Sequence, residues 1–241
     1  MCDLHAGCHS QVKEIVTRTH AWLAAFLLLF ILGFGAAFAK TPLPNTAAVA
    51  QQTGLKTILV LGDSLSAAYG IPVQQGWVSQ MAARISAEKR PWQVQNISIS
   101  GETTAGGRAR LAKALSVHKP ALVLIALGAN DGLRGLPTEL MQANLLAMVK
   151  ASKASGAQVL LIGIRIPPNY GPDYTRAFEQ VFKTVSASEK TALLPFLLEP
   201  IARDNAAFQA DRLHPTAAAQ VALEKHVYAA VLPLISDRLK R

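Results

Sequence analysis

Cysteine is almost missing from this chain of 241 residues: there are two, Cys2 and Cys8, both close to the N-terminus. Everything after them lacks disulfide and thiol chemistry. Cys2, His5, Cys8 and His9 are metal-ligating types, but they crowd into a segment that reads as a leader, and no metal is expected. Sixteen glycines and 13 prolines are too few for a collagen-like chain, and 51% hydrophobic residues exclude a disordered one. Neither G-x-x-x-x-G-K-[ST] nor G-x-G-x-x-G occurs, so the common phosphate and dinucleotide cradles are absent. Internal repeats and low-complexity blocks are absent too.

Apolar residues are abundant but unevenly placed. Ala21 to Ala39 reads AWLAAFLLLFILGFGAAFA, with Lys13, Arg18 and His20 before it and Ala37-Phe38-Ala39 at its end. A basic start, an apolar centre and a small-residue exit predict a secretory signal over residues 1–39, hence a periplasmic or secreted protein. An uncleaved membrane anchor is the alternative, because the run is long enough to span a bilayer; a later cut after Ala50 is another. Residues 40–55 read as a linker and 56–241 as one domain. The charges of the leader (Asp3, Lys13, Glu14, Arg18) cancel, so the formal net charge of +9 stays with the remainder. Its basic residues are scattered without a basic–aromatic stripe, which argues against nucleic acid and suggests peripheral contact with anionic headgroups or wall polymers. A monomer is expected.

From residue 57 onward short apolar runs alternate with amphipathic stretches. Strands are predicted over Thr57–Leu61, Trp92–Ile99, Ala121–Leu127, Val159–Ile164 and Ala192–Phe196. Helices are predicted over Trp77–Lys89, Arg108–His118, Leu140–Ala154 with Pro137 at the start, Asp173–Ser188 and Thr216–Leu234 with Pro215 near the start. ALVLIAL is apolar throughout, as a central parallel strand requires; WQVQNISI alternates, as an edge strand does. Five β-α repeats predict an α/β fold, a doubly wound parallel sheet with helices on both faces. Ligands of such sheets bind beyond the carboxyl ends of the strands.

Four of those ends carry polar chemistry. Gly62-Asp63-Ser64-Leu65-Ser66 puts Ser64 where a strand turns toward a helix, with its hydroxyl projecting; a helix cap is the plainer reading. It is not a G-x-S-x-G elbow, since Ser66 replaces the last glycine. Gly101, in SGETTAGG, allows close backbone approach and an N–H for an oxyanion, or shapes an ordinary loop. Asn130, in GANDG, aims an amide into the cleft or makes a plain turn. In Asp211-Arg212-Leu213-His214-Pro215 the aspartate can reach the imidazole and fix its tautomer. His118 and His226, the other histidines after the leader, fall on amphipathic helices, which leaves His214 as the candidate base.

Taken together, GDSLSAAYG, SISGETTAGG, GANDGLRG and DRLHP resemble the four ordered blocks of the SGNH (GDSL) hydrolases, most nearly their periplasmic thioesterase, lysophospholipase and arylesterase branch. The resemblance extends over residues 56–235. It implies a flavodoxin-like three-layer α/β/α fold and a secreted serine esterase for aryl esters, acyl thioesters or lysophospholipids, with no cofactor. It further implies Ser64 as nucleophile, the Ser64 and Gly101 amides with Asn130 as oxyanion hole, His214 as base and Asp211 as its partner. Arg212 departs from the pattern, since relatives usually carry glycine there. Asp63 and Tyr170 are expected at the substrate, Asp63 by holding the nucleophile loop and Tyr170 from a loop beside the acyl group. Two rival functions are a carbohydrate or peptidoglycan O-acetylesterase and a non-catalytic flavin- or phosphate-binding module.

Overall fold

The structure, a computed structural model, describes residues 54–236. The expected signal over 1–39 and nearly all of the linker lie outside them. Five parallel strands form one sheet in the order β2-β1-β3-β4-β5: β1 Lys56–Gly62, β2 Trp92–Asn96, β3 Leu122–Ala126, β4 Gln158–Ile162 and β5 Ala192–Leu194. The helices are α1 Trp77–Ala87, α2 Thr104–His118, α3 Ala129–Leu133, α4 Thr138–Ala154, α5 Pro172–Glu189 and α6 Gln220–Ile235.

The strand order fixes the layers. The chain leaves β1 for β2 on one side and returns past β1 to β3 on the other, so right-handed crossovers put α1 on one face and α2, α4 and α5 on the opposite face. Packing agrees: α1 lies against α6, while α4 lies between α2 and α5. The reversal falls between β1 and β3, where doubly wound sheets open a crevice. Central strands β1 and β3 are buried apart from Lys56, whereas β2 is half-buried at an edge. Among the described residues the core runs from Ile58 to Ile235.

All five expected strands and all five expected helices are present, with shifted ends. The second strand stops at Asn96, yet Ile97 and Ile99 keep donating to the carbonyls of Val60 and Gly62 (2.9 and 3.0 Å), so pairing outlasts the regular strand. Helix α2 begins four residues before the expected Arg108, because the Thr103 side chain caps it through the Gly106 amide. Gly107 therefore lies within the helix, where it lets α2 approach the sheet: a Cβ there would stand 2.3 Å from Leu127 Cδ1. At the other end of the chain, α6 starts at Gln220 rather than Thr216, after a turn closed by the Ala219 amide on the Thr216 carbonyl (3.1 Å).

Candidate active site

Ser64 follows β1 after one residue, Asp63, but the chain does not enter a helix there. Residues 64–70 form a compact turn, and α1 starts only at Trp77. The Asp63 carbonyl accepts from the amides of Ser66 and Ala67 (3.1 and 2.9 Å). Side chains pin the turn as well. The Asp63 carboxylate accepts from Leu65 N–H (3.0 Å), the Trp77 indole donates to the Leu65 carbonyl (3.0 Å), and the Asn96 amide donates to the Ser66 carbonyl (2.8 Å).

His214 arrives from the long connection between β5 and α6. Its Nε2 is 2.8 Å from Ser64 Oγ and its Nδ1 is 2.6 Å from Asp211 Oδ2. An ionised carboxylate only accepts, so the proton between them belongs to Nδ1, and Nε2 is left to accept from the serine hydroxyl. The other Asp211 oxygen accepts from the amides of Leu213 and His214 (2.9 and 3.0 Å). The His214 amide, the imidazole and the Leu213 amide together hold the Asp211 carboxyl down at about 2. Arg212 sits in the left-handed region at φ 56, a conformation glycine adopts without strain.

Gly101 and Asn130 join Ser64 in lining one cleft of about 260 Å³. Gly101 is also left-handed, at φ 79. Among the described residues the amides of Ser64 and Gly101 donate to no protein acceptor. One Asn130 N–H donates to the Glu102 carbonyl (3.0 Å), so the expectation of two donors for the cleft reduces to one. That bond ties the β3 loop to the β2 loop. Beside it, both Asp131 oxygens are taken by Thr104, by its amide at 2.8 Å and its hydroxyl at 2.5 Å, which docks the first turn of α2 onto α3.

Two expected substrate contacts are not at the cleft. Asp63 is 2% exposed and faces the interior beneath the turn; there burial raises its carboxyl to about 7. It holds the Ser64 turn through the Leu65 amide, as expected of it, but from behind, which corrects the expectation of a substrate contact. Tyr170 does not line the cleft either. Its hydroxyl donates to the Leu133 carbonyl (2.8 Å), bracing the wall from outside. The wall itself is apolar, built from Leu65, Leu133, Ile164, Ile166, Pro167 and Leu198, and Tyr69 lies over the His214 ring. The sequence reading missed these residues, because apolar side chains in loops carry no spacing signal.

A serine, an imidazole and a carboxylate in hydrogen-bonded series, beside unengaged amides at the switch point of a parallel sheet, define an acyl hydrolase. The profile of the GDSL-like Lipase/Acylhydrolase family matches residues 60–222, and the chain belongs to that family. It is 49% identical over 185 residues to esterase TesA of Pseudomonas aeruginosa, covering 77% of this chain and 92% of that one. It is 34% identical over 215 residues to thioesterase 1/protease 1/lysophospholipase L1 of Escherichia coli K12, covering 89% and 94%. The crystal structure of the psychrotrophic esterase EstA from Pseudoalteromonas sp., inhibited by monoethylphosphonate, matches with a TM-score of 0.72 at 43% identity, over 74% of this chain and 98% of that one.

Proposed function

We propose that this chain hydrolyses carboxylic esters and acyl thioesters, lysophospholipids among them, through an acyl-enzyme on Ser64. The observation that carries the reading is the continuous series from Ser64 Oγ to His214 Nε2 at 2.8 Å and from His214 Nδ1 to Asp211 Oδ2 at 2.6 Å. Neutral His214 takes the Ser64 proton as Oγ attacks the carbonyl carbon. The tetrahedral oxyanion accepts from the Ser64 and Gly101 amides and from the free N–H of Asn130. His214 then gives its proton to the departing alcohol or thiol. Water repeats the sequence on the acyl-enzyme and releases the acid, returning the proton to Ser64.

The apolar wall favours an acyl chain over an acetyl group, which supports this reading against an O-acetylesterase. Export is part of the proposal, with residues 1–39 as its signal; among the described residues no helix is long and apolar enough to cross a membrane. The test is a chain-length series of p-nitrophenyl esters together with fluorophosphonate labelling. Ser64→Ala and His214→Ala are each expected to lower turnover by up to about 10⁶-fold, and Ser64→Ala to abolish the label. Label persisting on Ser64→Ala, or most of the turnover surviving in either variant, refutes the assignment.

A further inference from the structure

The end of the sheet opposite the cleft carries an ordered row of charge. All five strands are parallel, so their first residues share one edge. Lys56 opens β1, Lys89 follows α1 on the way into β2, Lys119 ends α2 before β3, and Lys190 ends α5 before β5. Along the strand order the row spans about 20 Å at roughly 4.8 Å per strand. Only β4, entered through Gly156, has no lysine at this point.

Three of these lysines occupy positions where glycine is the unstrained choice. Lys89, Lys119 and Lys190 have φ of 53°, 41° and 50°, and Gly156, at the helix end without a lysine, has 89°. A cation suits the negative end of a helix, yet the left-handed backbone disfavours any side chain. The sequence accepts that conflict three times along one edge. The nearby carboxylates are already engaged: Glu88 meets Arg84 and Arg90, and Glu189 meets Lys150 and Lys153. Lys89, Lys119 and Lys190 have no carboxylate partner among the described residues.

Both ends of the domain meet at this edge. The chain enters at Lys56, downstream of the uncharged run 21–39, and α6 ends where the Trp92 indole donates to the Ile235 carbonyl (3.1 Å). Asp-Arg-Leu-Lys-Arg then follows Ser236, adding three cations and one carboxylate to the sequence. Trp92, on this edge, is buried, so among the described residues the edge offers no exposed tryptophan for base stacking.

We propose that this lysine edge docks on an anionic lipid bilayer and holds the domain with its cleft turned away from the lipid, open to dissolved esters. The edge is basic, its carboxylates Glu88 and Glu189 are held by other cations, and Lys89, Lys119 and Lys190 are exposed, which is what a sheet of anionic headgroups complements. This placement is independent of the chemistry at Ser64.

The test uses residues 40–241, which include every described core residue and omit the apolar run 21–39, and vesicles of phosphatidylcholine with or without roughly one-third phosphatidylglycerol at about 0.1 M salt. Co-sedimentation is expected with the anionic vesicles, weak with neutral ones and lost at about 0.5 M salt. Each lysine near such a surface strengthens binding about fivefold, so combined Lys89→Gly, Lys119→Gly and Lys190→Gly is expected to weaken it by ten- to about a hundredfold. Glycine fits these dihedrals, so the variant keeps its fold, and its hydrolysis of a soluble p-nitrophenyl ester stays unchanged. Combined Lys113→Ala, Lys183→Ala and Lys225→Ala removes the same charge from helix surfaces and is expected to bind nearly as the parent does. No binding to anionic vesicles, equal loss in both triple variants, or retention by heparin without vesicle binding overturns the proposal. A chain that binds vesicles but hydrolyses nothing leaves it standing and defeats the esterase reading instead.

Discussion

Tyr69 lies against His214, with ring centroids 4.4 Å apart and planes inclined by 37°, although the tyrosine is half exposed. The contact belongs to a larger link. Gln209 donates through its side chain to the Tyr69 carbonyl (2.9 Å) and through its backbone amide to the His214 carbonyl (2.8 Å). One glutamine thereby joins the turn bearing Ser64 to the turn bearing His214.

Tyr69→Ala removes the ring but leaves the Gln209 bond to its carbonyl. An aromatic pair of this kind contributes about 0.5–1.5 kcal/mol. The expected result is a fall in kcat/KM of roughly two- to tenfold, with fluorophosphonate labelling of Ser64 still complete. A loss of a thousandfold would mean that the ring does more than hold the imidazole in place.

Asn130→Ala deletes the proposed oxyanion donor and also frees the Glu102 carbonyl that the amide now engages. Turnover is expected to drop by about 10²–10³ with KM little altered, since the donor acts on charge that develops in the transition state. Steady-state kinetics on one ester checks this. Circular dichroism should show an unchanged fold.

Asp63 gives the protein a stability that declines with pH. Its carboxyl is raised to about 7 in the fold, by burial above all, while an unfolded aspartate ionises near 3.8. Below that lower value both states are protonated and there is no penalty. Between about 4 and about 7 only the unfolded chain releases its proton, so stability falls as pH rises, and above 7 the loss is constant. Asp63→Asn keeps an acceptor for the Leu65 amide and removes this titration. Its unfolding free energy from urea titration, relative to the parent, is expected to rise from pH 4 to pH 7, by at most about 4 kcal/mol. A constant difference across that range would contradict the account. Asp211 acts in the opposite sense: its lowered carboxyl stabilises the fold above about pH 4, and that contribution is lost as pH falls through about 2.

Gly107→Ala tests the close approach of α2 to the sheet. The added Cβ would meet Leu127 Cδ1 at 2.3 Å, in a region also lined by Met148 and Leu61. Overpacking of this kind costs about 1–3 kcal/mol, partly offset by alanine's better helix propensity. A lower thermal midpoint is expected, with kcat nearly intact at a temperature where the variant stays folded.

Where the sequence was legible, the reason is burial on both sides. Strands β1, β3 and β4 are nearly continuous apolar runs because helices cover both faces, and such runs announce themselves. The polar residues just beyond them, Ser64, Gly101 and Asn130, could then be assigned to one edge by topology, and the structure brings them to one cleft with His214. What stayed illegible depends on contacts far apart in sequence. Gly107 looks like a loop residue until Leu127 shows why a helix needs a bare face there. Asp63 reads as a polar loop residue, and only the packed interior shows it buried. Nothing local in the run from Ile164 to Pro167 marks it as the wall of a cleft. Tyr170 was expected beside the acyl group because its loop is rich in proline, yet its hydroxyl turns to the Leu133 carbonyl instead.

Ser64 and His214 stand 150 positions apart in the chain, one just after the first strand laid into the sheet and the other after the last. No fragment lacking either terminal portion of the domain can hold both atoms in register. Bringing the two atoms together therefore requires both portions to be in place, so the appearance of activity during refolding is expected to report the assembly of the two rather than of either alone.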